Sequence, residues 1–427
     1  MIVIVFTIIL SIYIGYSISR NNRVRFPNFY SSFSLAFLIY YLLIPFVVYV
    51  LRSTSVENDK YFREFYGPGG LDSVTYYCMV GVFFLVFHLA YNSRKKVSYT
   101  FNEKKFLHYL RLTGWTTLIF GGISFLAYLY FLGGLSKALA IAEYARAFGD
   151  MSSVLSSWQI MLLTPARLLS LPAFCFLLLY ENSRIKKYQI AMIISFALLF
   201  LLYLFETSRT SIMIFALFLG MPILRRFTKH PWTVIIIAAV LGINMLNILD
   251  MLFASFATGE FGSSEFNIND LICQFSFASR NAMHSFEILG KYGCRWGQDF
   301  ITAFINYLPG VSMENSIEPT SRFWGGDDWK AGVPNDVITF SILEFHALGT
   351  LIYSFILGKL LNAADTTLLL LNRIPKYKYS YQIFTTMLML TLFFYIPSAD
   401  ISSLLLHFSL LVFFFILIVS RKRVVRS

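Results

Sequence analysis

The sequence predicts an all-α polytopic membrane protein of about eleven transmembrane helices, N-terminus outside and C-terminus inside, with one large outer loop containing short amphipathic helices. Three observations carry this. Of 427 residues, 57% are hydrophobic and only 14% charged, about half the charge of a soluble domain. Apolar runs of about twenty residues recur from end to end, each long enough to cross a hydrocarbon core roughly 30 Å thick. Lys and Arg gather in every second connection between those runs, as cytoplasmic loops do. The net charge of +12 belongs to these clusters, so membrane orientation accounts for it and no nucleic-acid partner is expected. Residues 1–427 read as a single integral membrane domain.

The spans follow in order. The first, 2–18 (IVIVFTIILSIYIGYSI), has no basic residue ahead of it and no small-residue cleavage site after it, so it reads as a retained span rather than a signal peptide. Arg20, Arg23 and Arg25 place its far end inside. Span 32–51 leads out to STSVENDKYFREFYGPGGLDS, which mixes acids with bases, and 74–91 returns to Arg94, Lys95 and Lys96 with Lys104 and Lys105. Span 113–133 rises to an outer connection containing Arg146, and 154–180 descends to Arg184, Lys186 and Lys187. Spans 189–205 and 211–224 flank the tight outer turn ETSRT, Arg225, Arg226 and Lys229 follow inside, and 232–250 leads into the large loop. Span 337–358 descends to Arg373, Lys376 and Lys378; 382–396 and 401–420 flank PSAD, and the tail RKRVVR closes the series inside.

Residues 251–336 form the large extracytoplasmic loop. Long connections in compact proteins are functional or disordered, and the Phe, Trp and Tyr content here argues against disorder. DLICQFSFASRNAMHSFEILG (270–290) has apolar residues near helical spacing, with Arg280, His284 and Glu287 together on another face. DFITAFINYLPG (299–310) reads as a short helix stopped by Pro309 and Gly310. RFWGGDDWKAGVPNDVITF (322–340) carries Trp324 and Trp329, and Asn335-Asp336 mark a helix start. These helices are expected to lie on the outer surface and roof a cavity. The four Cys form no CxxC pair; Cys273 and Cys294 are either a disulfide or two free thiols.

A charge inside a bilayer costs a few kcal/mol or more and faces a cavity or partner. Such groups here are Arg167 in span 154–180, Glu206 and Arg209 beside the ETSRT turn, and Glu344 and His346, the last two roughly 10–14 Å below the outer end of their span. Arg binds two phosphate oxygens at once, and Arg146, Arg167, Arg209, Arg280, Arg295 and Arg322 all fall on the outer side or in the outer leaflet. They favour an anionic ligand presented there. Structural readings stand beside these: Arg209 with Glu206 as an i,i+3 ion pair, and Arg280, His284 and Glu287 as the solvated face of an amphipathic helix. Imidazole relays protons near neutral pH, which makes His284 a candidate base. No Walker loop, GxGxxG, HExxH or GxSxG occurs. The acid pair Asp327-Asp328 lies outside, away from nucleotide sugars, so no metal or other cofactor is expected and a lipid-carried donor fits better.

The layout resembles the bacterial O-antigen polymerase family, the oligosaccharide repeat-unit polymerases. Three features carry the resemblance over nearly the whole chain: SRTSIMIFALFLG (208–220) after a tight outer turn, one dominant outer loop three spans from the C-terminus, and GVPNDVITFSILEFHALGTLIYSFILG (332–358) leading out of it. It implies a metal-independent, GT-C-like glycosyltransferase related to the O-antigen ligases, in the bacterial plasma membrane with its active site facing outward. An undecaprenyl-diphosphate-linked glycan would be transferred to a hydroxyl of another lipid-linked repeat unit, with a chain-length regulator and a flippase as partners. The roles implied are Arg167 and Arg209 on the diphosphate, Arg280, Arg322 and Arg146 on diphosphate or glycan, His284 or Glu344 as base, and Trp324 and Trp329 stacking on sugars. The competing readings are an O-antigen ligase, with nearly the same architecture, and a lipid-linked oligosaccharide flippase, which would show two matching halves and no large loop.

Overall fold

The computed structural model describes residues 2–20, 28–67, 71, 73–93, 99–148, 156–205, 268–305, 313–326, 333–377, 392–393, 395–399 and 408–423, with isolated positions between 212 and 251. Among these, seven helical segments are long and apolar enough to cross a membrane, the last of them interrupted at 346–348: Val3–Arg20, Phe29–Arg52, Val74–Asn92, Glu103–Phe131, Met161–Ser183, Lys186–Phe205 and Val337–Leu371. The protein is therefore an all-α membrane protein. The spans expected at 211–224, 232–250 and 382–396 lie almost wholly outside the described residues, and a helix at Phe408–Val419 falls within the one expected at 401–420.

In chain order the helices are α1 (Ile2–Arg20), α2 (Phe29–Leu38), α3 (Ile44–Arg52), α4 (Val56–Tyr66), α5 (Val74–Asn92), α6 (Glu103–Phe131), α7 (Leu135–Phe148), α8 (Ser157–Ala166), α9 (Ser170–Ser183) and α10 (Lys186–Phe205). After them come α11 (Ile268–Met283), α12 (Ser285–Tyr292), α13 (Gln298–Ile305), α14 (Ile317–Gly325), α15 (Val337–Phe345), α16 (Gly349–Asn372) and α17 (Phe408–Val419). Ile4, Ile8 and Ile12 on α1 and Ile119, Phe120 and Ile123 on α6 are exposed; such helices are apolar all round because their solvent is lipid.

Small residues let the spans approach where no hydrophobic force separates protein from lipid. On α6, a Cβ at Gly114 would lie 3.1 Å from that of Cys175, and one at Gly121 the same distance from the Pro165 carbonyl oxygen, so α6 lies against α8 and α9. A Cβ at Gly358 of α16 would meet the Phe87 carbonyl oxygen of α5 at 2.6 Å. Near that crossing the buried Asp365 carboxylate accepts from the backbone N–H groups of Phe29 (2.9 Å) and Tyr30 (3.3 Å) and from the Tyr91 hydroxyl (2.6 Å). It thereby satisfies donors that the first turn of α2 leaves open and places an acid at the positive end of that helix.

Three connections that their basicity assigns to one side meet at one end of the bundle. Strand β1 (Tyr99–Phe101) pairs antiparallel with β2 (Arg421–Arg423), and Glu103 accepts from the Tyr377 hydroxyl and pairs with Lys376.

Two irregularities shape the opposite end. A π-helical turn, Ile39–Leu43, separates α2 from α3 and buries Tyr40 and Tyr41, a local widening often found at functional sites. The span expected as one helix at 337–358 is broken. His346 takes φ +58°, and residues 346–348 are exposed. In a continuous helix Ser341 and Gly349 would sit about 12 Å apart along the axis; here a Cβ on Gly349 would lie 1.7 Å from the Ser341 carbonyl oxygen. The chain thus forms a tight helical hairpin, with α15 folded against the first turns of α16 and Phe340 packed on Tyr353. Asp336 caps α15, accepting from the N–H groups of Ile338 (2.9 Å) and Thr339 (3.2 Å). It also accepts the Tyr41 hydroxyl at 2.5 Å, which ties the hairpin to the π turn.

Candidate functional site

Above the hairpin sit α4 and α11–α14. The connection 52–73 holds α4, started by Ser55, whose hydroxyl accepts from the Asn58 N–H, and ended by Gly67 at φ +74°. Asp59 of α4 lies 2.6 Å from Arg52 and 2.8 Å from Arg63, and the two guanidinium groups, Arg63 foremost, hold its carboxyl below the usual range. The helix expected over 270–290 is two, because His284 takes φ −103°, ψ 10° and separates α11 from α12. Asn269 of α11 donates to Asn58 and Tyr66 meets Ser279 at 3.0 Å, which fixes α11 to α4.

Arg280 projects into this junction. Its guanidinium carbon is 3.5 Å from the Trp324 ring centroid and 4.3 Å from that of Phe65, so the plane is sandwiched between rings. Its Nε is buried with no hydrogen-bond partner among the described residues, and no carboxylate there pairs with the group. Burial draws its pKa down to about 10, which leaves it charged at neutral pH. Trp324 is held in plane by a hydrogen bond from its Nε1 to Asn281 Oδ1 (2.8 Å), and Asn281 in turn donates to the Pro334 carbonyl (2.8 Å).

Next to Trp324, at 5.1 Å between centroids, lies the buried imidazole of His284. Its Nε2 is 2.5 Å from the Tyr66 carbonyl oxygen and its Nδ1 is 3.0 Å from Glu287 Oε2. A carbonyl only accepts, so Nε2 carries hydrogen. The ring packs against Gly67, where a Cβ would come within 3.2 Å of it. Only Gly offers both that space and the positive φ. The His284 side chain is 5% exposed and that of Glu287 64%, so the pair meets the outside through Glu287.

A second group locks α13 to the hairpin. Glu344, near the end of α15, is fully buried; Arg295 Nε lies 2.8 Å from Asp299 Oδ1 and 3.6 Å from Glu344 Oε1. Arg295 also donates to the Glu314 carbonyl (2.5 Å), and Asp299 accepts from the Ser316 N–H (2.9 Å). One guanidinium therefore serves two buried carboxylates, and Glu344 Oε1 has no hydrogen bond. Among the described residues no three His, Cys, Asp or Glu side chains converge as metal ligands, and none of the four cysteines forms a disulfide.

Of the residues expected from sequence, the structure brings together Arg280, Trp324 and His284, with Glu344 beneath the same set of short helices. Arg322 is turned to Glu314 (3.1 Å) and Glu318 (3.7 Å); burial and then the Glu314 charge push the Glu318 carboxyl up. Arg167 is half-buried in the 3₁₀ turn between α8 and α9, against α6 and α10. Arg146 belongs to α7, with its side chain outside the described residues, as are Arg209 and Trp329 entirely. Sequence reasoning missed Phe65, Tyr66, Gly67, Asn281 and Asp299; the i,i+4 spacing of Arg295 and Asp299 was the one legible signal among them.

Fold and site define a helical membrane protein with a cation stacked between aromatic rings beside a tautomer-fixed imidazole. Compared with known proteins, the chain matches no family model, no curated protein and no solved structure.

Proposed function

We propose that the chain polymerises lipid-linked oligosaccharide repeat units, transferring an undecaprenyl-diphosphate-linked glycan to a hydroxyl of another lipid-linked unit. In this reading it has eleven spans, N-terminus out and C-terminus in, a GT-C-like architecture, and a bacterial plasma-membrane location with the Arg280 site facing outward. The observation that supports it best is the stacked guanidinium of Arg280, whose Nε is buried without a hydrogen bond and which has no carboxylate partner among the described residues. Taking that charge partly out of water is costly, and the two ring faces offset the cost by about 0.5–2 kcal/mol each. A cation kept at that cost is suited to an anion that arrives and leaves.

The diphosphate is that anion. Arg280 holds it and stabilises the charge that grows as the sugar departs, while Trp324 offers its remaining surface to a sugar ring. Of the two candidate bases, His284 reaches the surface through its contact with the exposed Glu287, whereas Glu344 is enclosed by Arg295 and the Asp299 N–H and serves to join α13 to the hairpin. Arg167, Arg209, Arg146, Arg322 and Trp329 keep their proposed diphosphate or glycan contacts, and a chain-length regulator and a flippase are the proposed protein partners.

The test is reconstitution of purified protein in proteoliposomes with lipid-linked oligosaccharide extracted from source cells lacking this chain. A ladder of glycan lengths formed without nucleotide is expected. Translocation of the lipid without a ladder would replace this reading with a flippase, and a single transfer to another acceptor would replace it with a ligase.

A further inference from the structure

Resting on that reading, we infer that the proton acceptor is a pair, with Glu287 touching the acceptor hydroxyl and His284 as the positioning residue behind it. The Tyr66 carbonyl fixes hydrogen on His284 Nε2, so Nδ1 presents a lone pair to Glu287 Oε2 at 3.0 Å. Two acceptor atoms at hydrogen-bonding distance close on one shared proton. Loaded, the pair holds that proton; empty, it takes one. The His284 side chain is 5% exposed and packs on Trp324, itself stacked on Arg280, whereas its Glu287 partner is 64% exposed.

The step balances without an oxidant or metal. Glu287 takes the proton of the acceptor hydroxyl as its oxygen bonds to the anomeric carbon of the donor sugar. The bond from that carbon to the phosphate oxygen breaks, its electron pair leaving with undecaprenyl diphosphate beside Arg280. The proton, shared between Glu287 and His284 Nδ1, passes to water before the next turnover.

Glu287 also occupies the third position of α12, behind His284 at the cap, where a carboxylate or an amide supports a helix start. Glu287→Gln keeps that support and removes only the proton acceptor. In proteoliposomes with the extracted lipid-linked oligosaccharide, E287Q is expected to keep the wild-type melting temperature and a KM within about twofold, while kcat falls about 100-fold or more. Glu287→Asp should fall between, and formate should restore turnover to Glu287→Ala. His284→Asn should lower kcat alone and add nothing in the E287Q background, since members of one unit are not additive. Wild-type kcat in E287Q, or no formate rescue of folded E287A, overturns the pair while the polymerase reading stands. No ladder from the wild type overturns both.

Discussion

Arg280→Ala is expected to lower kcat/KM for chain formation about 100-fold or more, the size of loss seen when a transition-state donor is removed, with the protein still folded and inserted. The second half of that expectation comes from what Arg280 lacks. Most buried arginines cannot be truncated safely, because the carboxylate left behind is stranded in low dielectric. Arg280 has no carboxylate partner among the described residues, and its buried Nε makes no hydrogen bond, so alanine strands nothing and relieves a desolvated charge. The lost stacking on Trp324 and Phe65 acts the other way by a similar amount. Stability should therefore change little while activity collapses. Arg280→Lys keeps a charge but neither the planar fork nor the stack, and should give an intermediate rate. Arg295→Ala is the contrasting case: it strands Asp299 and Glu344.

Gly349→Ala is expected to destabilise the protein by about 3 kcal/mol or more, the upper range of overpacking. Helix propensity alone predicts the opposite sign, since Ala is favoured over Gly in a helix by about 1 kcal/mol. Geometry decides against propensity here. The new Cβ would sit 1.7 Å from the Ser341 carbonyl oxygen and 2.5 Å from its carbon, both backbone atoms that no rotamer change can move aside. The α15–α16 hairpin has to open, and with it the seat of Glu344 and the Asp336 contact to Tyr41. Thermal unfolding in detergent reads the effect, with Gly290→Ala as the control: nothing lies within 4 Å of its added Cβ, so its stability should hold or rise slightly. A G349A protein that melts with the wild type would show that α15 and α16 do not form this hairpin.

The same hairpin marks where sequence reading stopped. Runs such as 74–91 were legible as spans because lipid demands about twenty apolar residues and little else. Residues 337–358 satisfy that demand too, so length and hydropathy predicted one straight helix. Its break depends on a carbonyl of Ser341 meeting a glycine eight residues later, which no composition window registers; Glu344, His346 and Gly349 together in an apolar run were the available hint. The helix start at Asp336 was legible, since an N-cap is a local matter of one side chain and two N–H groups. At the site, helical spacing placed Arg280, His284 and Glu287 on one face, and His284 does meet Glu287. Trp324 was legible as an aromatic candidate for the site. That it stacks on Arg280, 44 residues earlier, and that Phe65, Tyr66 and Gly67, more than two hundred residues from Arg280 and His284, complete the surround, required tertiary contacts that no local pattern registers.

In the proposed reaction the Arg280–Trp324 junction receives the diphosphate of a lipid-linked glycan. The most direct measurement is photocrosslinking of the full chain in membranes with an undecaprenyl diphosphate carrying a diazirine on the prenyl unit next to the phosphate, mapped by mass spectrometry. Label concentrated in the peptides that contain Phe65, Arg280 and Trp324, and competed away by the extracted lipid-linked oligosaccharide, is the predicted result. Label gathered at the basic end of the bundle around Lys376 and Arg421, with those three peptides unmarked, would contradict it.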